Sequence, residues 1–240
     1  MLRTLLAPNA SVMTLDGTRT FVVGSERVAI IDPGPDDPAH LERLAAAAAD
    51  AHSVILLTHQ HPDHAAGARR LAGMLGAEVL SQAAGTLGAG MDVPTDAGTL
   101  HVLPTPGHTP DHIALHWPEQ KAIFVGDLMM GGLETALVAP SEGGSLEQYL
   151  DSLARLGGLG ARILYPTHGP EFTDPEAAFD RYRAHRLRRL EQVRSALAAG
   201  ISDRDALVTA VYGDAVPPAL RDWTRSTLEA YLDYLGLGSG

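Results

Sequence analysis

Three imidazoles and a carboxylate fall between His59 and His64, in the run Thr58-His59-Gln60-His61-Pro62-Asp63-His64. Each ring needs hydrogen-bond partners, and protonated together the three would repel, so an ordinary core cannot hold them all. Neutral nitrogens beside an anionic oxygen are the donor set that a divalent transition metal stabilises. A solvated histidine-rich loop is the plain alternative. The run follows directly on Ser53–Leu57, a short β-branched and aliphatic segment that reads as a buried strand. Its side chains therefore emerge at the strand's C-terminal edge, where layered α/β folds carry their sites.

Six residues cannot close two metal spheres, so further ligands are expected at other strand ends. His108 lies in Pro106-Gly107-His108-Thr109-Pro110, a turn-rich loop after a strand, and Asp127 closes Val125-Gly126-Asp127. His168 sits in Pro166-Thr167-His168-Gly169, immediately after the Arg162–Tyr165 strand. A glycine beside each lets the backbone approach closely. A lone His or Asp after a strand is more often a turn or cap residue; here the set agrees.

The ordered motifs HxHxDH, PGH, GD and THG resemble those of the metallo-β-lactamase-fold superfamily of dinuclear metal hydrolases, over about residues 9–172. The resemblance implies an α/β fold of the αββα sandwich type, two sheets with helices outside. It assigns His59, His61 and His108 to a first metal, Asp63, His64 and His168 to a second, and Asp127 to both. Asp32, in Ile31-Asp32-Pro33-Gly34, would orient a metal-bound histidine, although a turn aspartate before Pro-Gly is an equal reading. The implied reaction is attack on a carbonyl or phosphoryl centre by a hydroxide shared between two divalent ions. Asp63 and Asp127 would be the catalytic carboxylates, with Asp63 orienting the nucleophile. Zinc is the expected metal, and manganese or iron would suit the same N/O ligands.

The resemblance is nearest to the beta-lactamase-like protein 2 family, which joins a glyoxalase II-like catalytic domain to a small winged-helix domain. It is carried by Tyr165-Pro166-Thr167-His168-Gly169-Pro170, Tyr182-Arg183-Ala184-His185-Arg186 and Val211-Tyr212-Gly213 before Pro217-Pro218-Ala219-Leu220. It implies a zinc-dependent endoribonuclease on single-stranded RNA. The sequence ends at Gly236-Leu237-Gly238-Ser239-Gly240, where that family continues into a wing hairpin, so a truncated wing is expected.

The elements that must position these residues alternate along the chain. Thr20–Val23 and Val28–Ile31 read as a hairpin around Gly24-Ser25. Asp37 can cap a helix through the alanine tract, and a helix is expected near Asp63–Leu75. Further strands are expected at Glu78–Leu80, Leu100–Leu103, His112–Trp117 and Ala122–Val125, and Ser145 with Gln148 forms a capping box. After Asp174-Pro175 the pattern is wholly helical. Helices are expected from about Glu176 to Ala199, from Ser202, and from Pro217-Pro218 to about Leu235. All histidines but His185 precede this stretch, and acidic residues outnumber basic ones only before it. The expected domains are therefore 1–175, catalytic, and 176–240, a small all-α, winged-helix-like module. The glycine-rich stretch from Gly131 to Gly144 reads as a loop covering the site.

Composition narrows the class. The 240 residues carry a net charge of −11, 45% hydrophobic residues and no cysteine. Disulfides, thiolate metal sites and a cysteine nucleophile are thereby excluded. With no signal-like start and no apolar run long enough for a bilayer, a cytoplasmic protein without a membrane partner is expected.

Substrate class is less constrained. Arg181, Arg188 and Arg189 could share one helix face as a phosphate track, though a solvated helix is the plainer reading. The acidic catalytic part would repel a polyanion, and aromatic residues are few for base stacking. A glyoxalase II-like thioester hydrolase, of the hydroxyacylglutathione type, is the alternative. An iron-dependent sulfur dioxygenase on the same fold and a nucleic-acid- or partner-binding role for the C-terminal helices stand behind it. Dimerisation through those helices is the simplest role for them.

Overall fold

The computed structural model describes residues 1–132, 134–213 and 216–238. Of the stretch 236–240, where a truncated wing is expected, Ser239 and Gly240 lie outside them. The chain divides into two compact units. The first holds described residues of Met1–Thr105, Asp111–Leu133 and Gly160–Thr173; the second holds those of Pro106–Pro110, Glu134–Leu159 and Asp174–Gly240.

The first unit contains two five-stranded sheets. One has the order β1 (Leu2–Leu6), β2 (Arg19–Val23), β3 (Arg27–Ile31), β4 (His52–Leu56), β5 (Glu78–Leu80). The other runs β10 (Ile163–Pro166), β9 (Ala122–Gly126), β8 (Ile113–Trp117), β7 (Gly98–Pro104), β6 (Asp92–Thr95). Period-two alternation sorts the first sheet's side chains onto two buried faces. Phe21, Val23, Ala29, Ile31 and Leu56 pack against Leu100, Val102, Ile113, Leu115 and Phe124 of the second sheet. Val22, Val28, Ile30 and Ile55 turn the other way, onto Leu41 and Leu44 of α1 (Pro38–Ala47) and Ala68 and Leu71 of α3 (Ala68–Leu75). Burial on both faces is why these strands read as continuous apolar runs. Each fully buried aliphatic or aromatic side chain here contributes about 1.5–3 kcal/mol.

The mixed α/β architecture with two sheets agrees with expectation, and most elements fall within a residue or two of their expected bounds. Two edge strands, β1 and β6, were not legible. β1 is only half buried, and β6 contains Pro94, which cannot donate to a ladder. The single helix expected near Asp63–Leu75 is two, α2 (Pro62–Ala65) and α3, with Gly67 between them. A Cβ at Gly67 would lie 2.8 Å from both Leu41 Cδ2 and the Pro35 carbonyl, so the chain can pass α1 only as glycine.

The second unit packs α4 (Leu146–Gly157), α5 (Pro175–Ala198), α6 (Arg204–Tyr212) and α7 (Arg221–Tyr234). It is thus more than the C-terminal stretch, because α4 and the loop around His108 group with the last three helices. Tyr149, Leu153 and Leu156 form the buried face of α4, with Tyr182, Leu190 and Val193 of α5 and Leu228, Tyr231 and Leu232 of α7 also buried. The N-cap of α6 is Asp203, which accepts from the Ala206 amide, rather than the expected Ser202. Among the described residues no strand follows β10, and no helix is long and apolar enough to cross a membrane.

His40, on α1, braces the first unit from within. Its Nε2–H donates to Thr20 Oγ1 (3.2 Å), whose own proton goes to the Asp32 carbonyl (2.7 Å), while Arg43 donates to Nδ1 (3.0 Å). Burial, then the Arg43 charge, push the His40 pKa below its ordinary value. The folded state therefore keeps this ring neutral where the unfolded chain would protonate it. Its stabilisation is complete above the unfolded pKa of about 6.5 and is lost as pH falls toward the lowered folded value. Urea denaturation of the parent and His40→Gln on both sides of that window should show a smaller pH-dependent loss in the variant. Equal losses would remove His40 as a source of the pH dependence.

Candidate metal centre

Strand direction brings the chemistry to one edge of the first unit. β3 and β4 are parallel, pairing Ile31 with Leu56, so Asp32 and Thr58-His59 leave the sheet side by side. β9 and β10 are also parallel, pairing Pro166 with Gly126, so Asp127 and Thr167-His168 emerge together. The Ile113 amide donates to the Thr58 carbonyl (2.8 Å), and the Thr167 hydroxyl to Asp32 Oδ2 (3.1 Å), closing the two sheets onto each other there.

Asp32 is fully buried and sits in the left-handed region at φ 50°. Its carboxylate accepts from the Thr58 amide (2.8 Å), the Thr58 hydroxyl (2.7 Å), the Thr167 hydroxyl and His64 Nδ1 (2.8 Å). That last bond places the His64 proton on Nδ1 and leaves a lone pair on Nε2. The same logic applies to His168, whose Nδ1 lies 3.1 Å from the Gly17 carbonyl. Both Nε2 atoms then face carboxylates. His64 Nε2 lies 3.4 Å from Asp127 Oδ1 and 3.6 Å from Asp63 Oδ2, and His168 Nε2 lies 3.5 and 3.0 Å from the same two atoms.

Acceptors pointed at acceptors in a buried space require positive charge between them, whether protons or a cation. His64 Nε2 is buried without a hydrogen-bond partner among the described residues. Burial opposes charge on His64, yet Asp127 and Asp32 raise its pKa well above the ordinary imidazole value. His168 is shifted up likewise, burial being outweighed by Asp127 and Asp63. Asp127 is driven well below the usual carboxylate range by His168 and His64 despite its burial. Asp63 is lowered against its own burial by its bond to His168 and the charge of His64.

A second group forms beside the first. His59 Nε2 and His61 Nδ1 are 2.8 Å apart, and with Asp127 they offer ligand atoms within 4.8 Å of one another. Asp63, His64 and His168 gather theirs just as closely. His61 is held below its ordinary pKa by burial, only partly offset by Asp127, which favours the neutral, ligating form. The donor set therefore fits divalent metal, with nitrogen and carboxylate ligands and no thiolate.

The structure thus gathers His59, His61, Asp63, His64, Asp127 and His168 in one unit, with Asp32 against His64. His108 belongs to the loop that groups with the second unit, where it is buried and its Nδ1–H donates to the Ala136 carbonyl (2.6 Å). Of the expected arginine track, Arg181 and Arg188 are exposed on α5. Arg189 instead turns inward, donating to the Val211 carbonyl and stacking 4.7 Å from the Tyr212 ring centroid.

Two supporting residues were not read from the sequence, whereas His112, four residues after His108, was expected to hydrogen-bond near the site without being a ligand. Thr58 and Thr167 each precede a histidine of the site, and this repeated Thr-His pair was the available signal. His112 is a further support: its Nε2 accepts from the Asp127 amide (3.1 Å), with its Nδ1–H directed to Thr105 Oγ1 (2.8 Å). Gly126, at φ 51°, makes room for it, since a Cβ there would lie 2.6 Å from His112 Nε2.

The family model described as Metallo-beta-lactamase superfamily matches residues 14–83 and 86–168. An atrochrysone carboxyl ACP thioesterase of Aspergillus chevalieri is 33% identical over 204 residues, covering 80% of this chain and 64% of that protein. The chain thus spans somewhat less than two thirds of that relative's length. A beta-lactamase-like protein 2 homolog of Caenorhabditis elegans is 28% identical, covering 79% of this chain and 68% of the relative. The crystal structure of a metallo-beta-lactamase family protein from Thermus thermophilus superposes with a TM-score of 0.83 at 22% identity, covering 98% of this chain and 93% of that one.

Replacing Asp32 by Asn would put amide hydrogens against hydroxyl and imidazole donors. The expected result is a loss of about 1–3 kcal/mol in folding stability and a fall of about 10–100-fold in metal affinity. Urea denaturation and metal retention after dialysis against a chelator would measure the two. Parental retention in a folded Asp32→Asn variant would free the site from dependence on this carboxylate.

Proposed function

The chain belongs to the metallo-beta-lactamase superfamily, and from that premise we propose that it is a dinuclear metal hydrolase acting on acyl thioesters. The observation that carries the metal-dependent reading is the pair of buried imidazole lone pairs, on His64 and His168, aimed at Asp63 and Asp127. In this reading His59, His61 and His108 would hold one ion, Asp63, His64 and His168 would hold the other, and Asp127 would serve both, with zinc as the metal. Such ions would polarise the scissile carbonyl and would supply a nucleophilic water near neutral pH.

The chain's own residues do the rest. Asp63, its side chain 30% exposed against 10% for Asp127, orients the attacking water by accepting its hydrogen bond. Asp127, braced by His112, offsets charge at the centre. Asp32 holds His64 in the ligating tautomer. Cleavage of the C–S bond yields a carboxylic acid and a thiol.

The thioester branch is supported by a relative named as an acyl carrier protein thioesterase and by a net charge of −11, which disfavours polyanions. A phosphodiester substrate, single-stranded RNA, is the second reading. Its support is the exposed pair Arg181 and Arg188, seven residues apart on one face of α5, with the helices from α5 to α7 then serving as a winged-helix-like module.

Zinc-loaded protein given acyl-pantetheine thioesters, with released thiol as readout, should turn over, and a His168→Ala variant purified alongside should fall to background. Asp63→Asn should lower turnover while retaining fold. Cleavage of labelled single-stranded RNA by the parent, with no thiol released from any thioester, would replace this reading with the phosphodiester one.

A further inference from the structure

Within the second unit, His108 is held by the strip that runs from Thr135 to Val138. Its carbonyl accepts from the Val138 amide (3.1 Å), and its Nδ1–H donates to the Ala136 carbonyl (2.6 Å). The strip from Thr135 to Val138 is in turn tied down at two points. Thr227 of α7, buried, accepts from the Leu137 amide (3.0 Å) and returns its hydroxyl proton to the Leu137 carbonyl (3.4 Å). Arg186 of α5, only 2% exposed, donates to the Thr135 carbonyl (2.6 Å). Its guanidinium is fixed by the Tyr149 ring, 4.6 Å from the centroid, and by the Tyr231 hydroxyl (3.5 Å).

A carbonyl can only accept, so the Ala136 oxygen dictates which His108 nitrogen carries the proton. With Nδ1 protonated, Nε2 keeps a lone pair in a ring whose orientation the strip sets. Free imidazole in water exchanges between both tautomers, so the choice here is made by the protein. We propose that Thr227 and Arg186 are positioning residues for His108, fixing the Ala136 carbonyl and through it that ring's ligating tautomer and orientation. The inference rests on the reading of His108 as a ligand. It gives the glycine-flanked segment read as a covering loop a holding role at residues 135–138.

Thr227→Val keeps the side chain's shape and removes both of its hydrogen bonds; Thr227→Ser restores the hydroxyl. Zinc stoichiometry and affinity by chelator competition, with circular dichroism confirming fold, should give two ions for the parent. One of the two should bind about tenfold or more weakly in Thr227→Val and recover in Thr227→Ser. The absorption spectrum of the cobalt-substituted variant should change in parallel. Two ions bound to Thr227→Val with parental affinity would overturn the inference and leave the metal reading standing, whereas a parent that binds no zinc would overturn both. Nitrogen-15 NMR of the metal-free parent supplies a readout independent of any variant: His108 should be the Nδ1–H tautomer, and an Nε2–H tautomer would overturn the proposal.

Discussion

The buried carboxylate of Asp32 ties the site together. Four donors reach it, from the ends of β4 and β10 and from α2, and its own backbone is fixed by the Leu56 carbonyl and the Thr20 hydroxyl. A carboxylate removed from water must be surrounded by donors, because an unmet charge in that setting costs several kcal/mol. Satisfying it forces β3, β4 and β10 to finish at one place. The left-handed backbone of Asp32, unfavourable for a side chain with a Cβ, persists because those bonds over-determine it.

The chemistry follows from what that convergence leaves unsatisfied. Fixing the Nδ1 protons of His64 and His168 on Asp32 and on Gly17 turns both Nε2 atoms toward Asp63 and Asp127. The upward shifts of the imidazoles and the downward shifts of the carboxylates express one fact: this cluster favours added positive charge. Protons can supply it, and divalent ions supply it with directed coordination. The geometry therefore speaks for metal chemistry without distinguishing a thioester from a phosphodiester, since either presents an electrophile and an oxygen to polarise.

The arginines of α5 show how a charge pattern divides once a helix is packed. The sequence places them within a few turns of one another, but only some faces of that helix meet solvent. Arg186 is buried between Tyr149 and Tyr231, its charge met by a carbonyl, a hydroxyl and one aromatic face. Arg189 ties α5 to the end of α6 through the Val211 carbonyl. Arg181, Arg183, Arg188 and Arg194 remain outside. Charge counting alone assigns these side chains one role, while packing gives them at least two.

The sequence by itself determined the residue types of the candidate site, the strand-end placement of Asp127 and His168, the caps at Asp37 and Ser145 and the two-sheet α/β class. Each is a local matter, encoded in neighbouring residues or in the period of apolar positions. Tertiary structure alone decided which nitrogen of each histidine is available, because the deciding acceptors, at Asp32, Gly17 and Ala136, lie far away along the chain. It also decided that α4 groups with the last three helices, that Gly67 splits a helix where α1 passes, and that His112 supports Asp127 from behind. Hydrogen-bond direction and close approach depend on partners that only folding brings within about 3 Å, and no pattern along the chain records them.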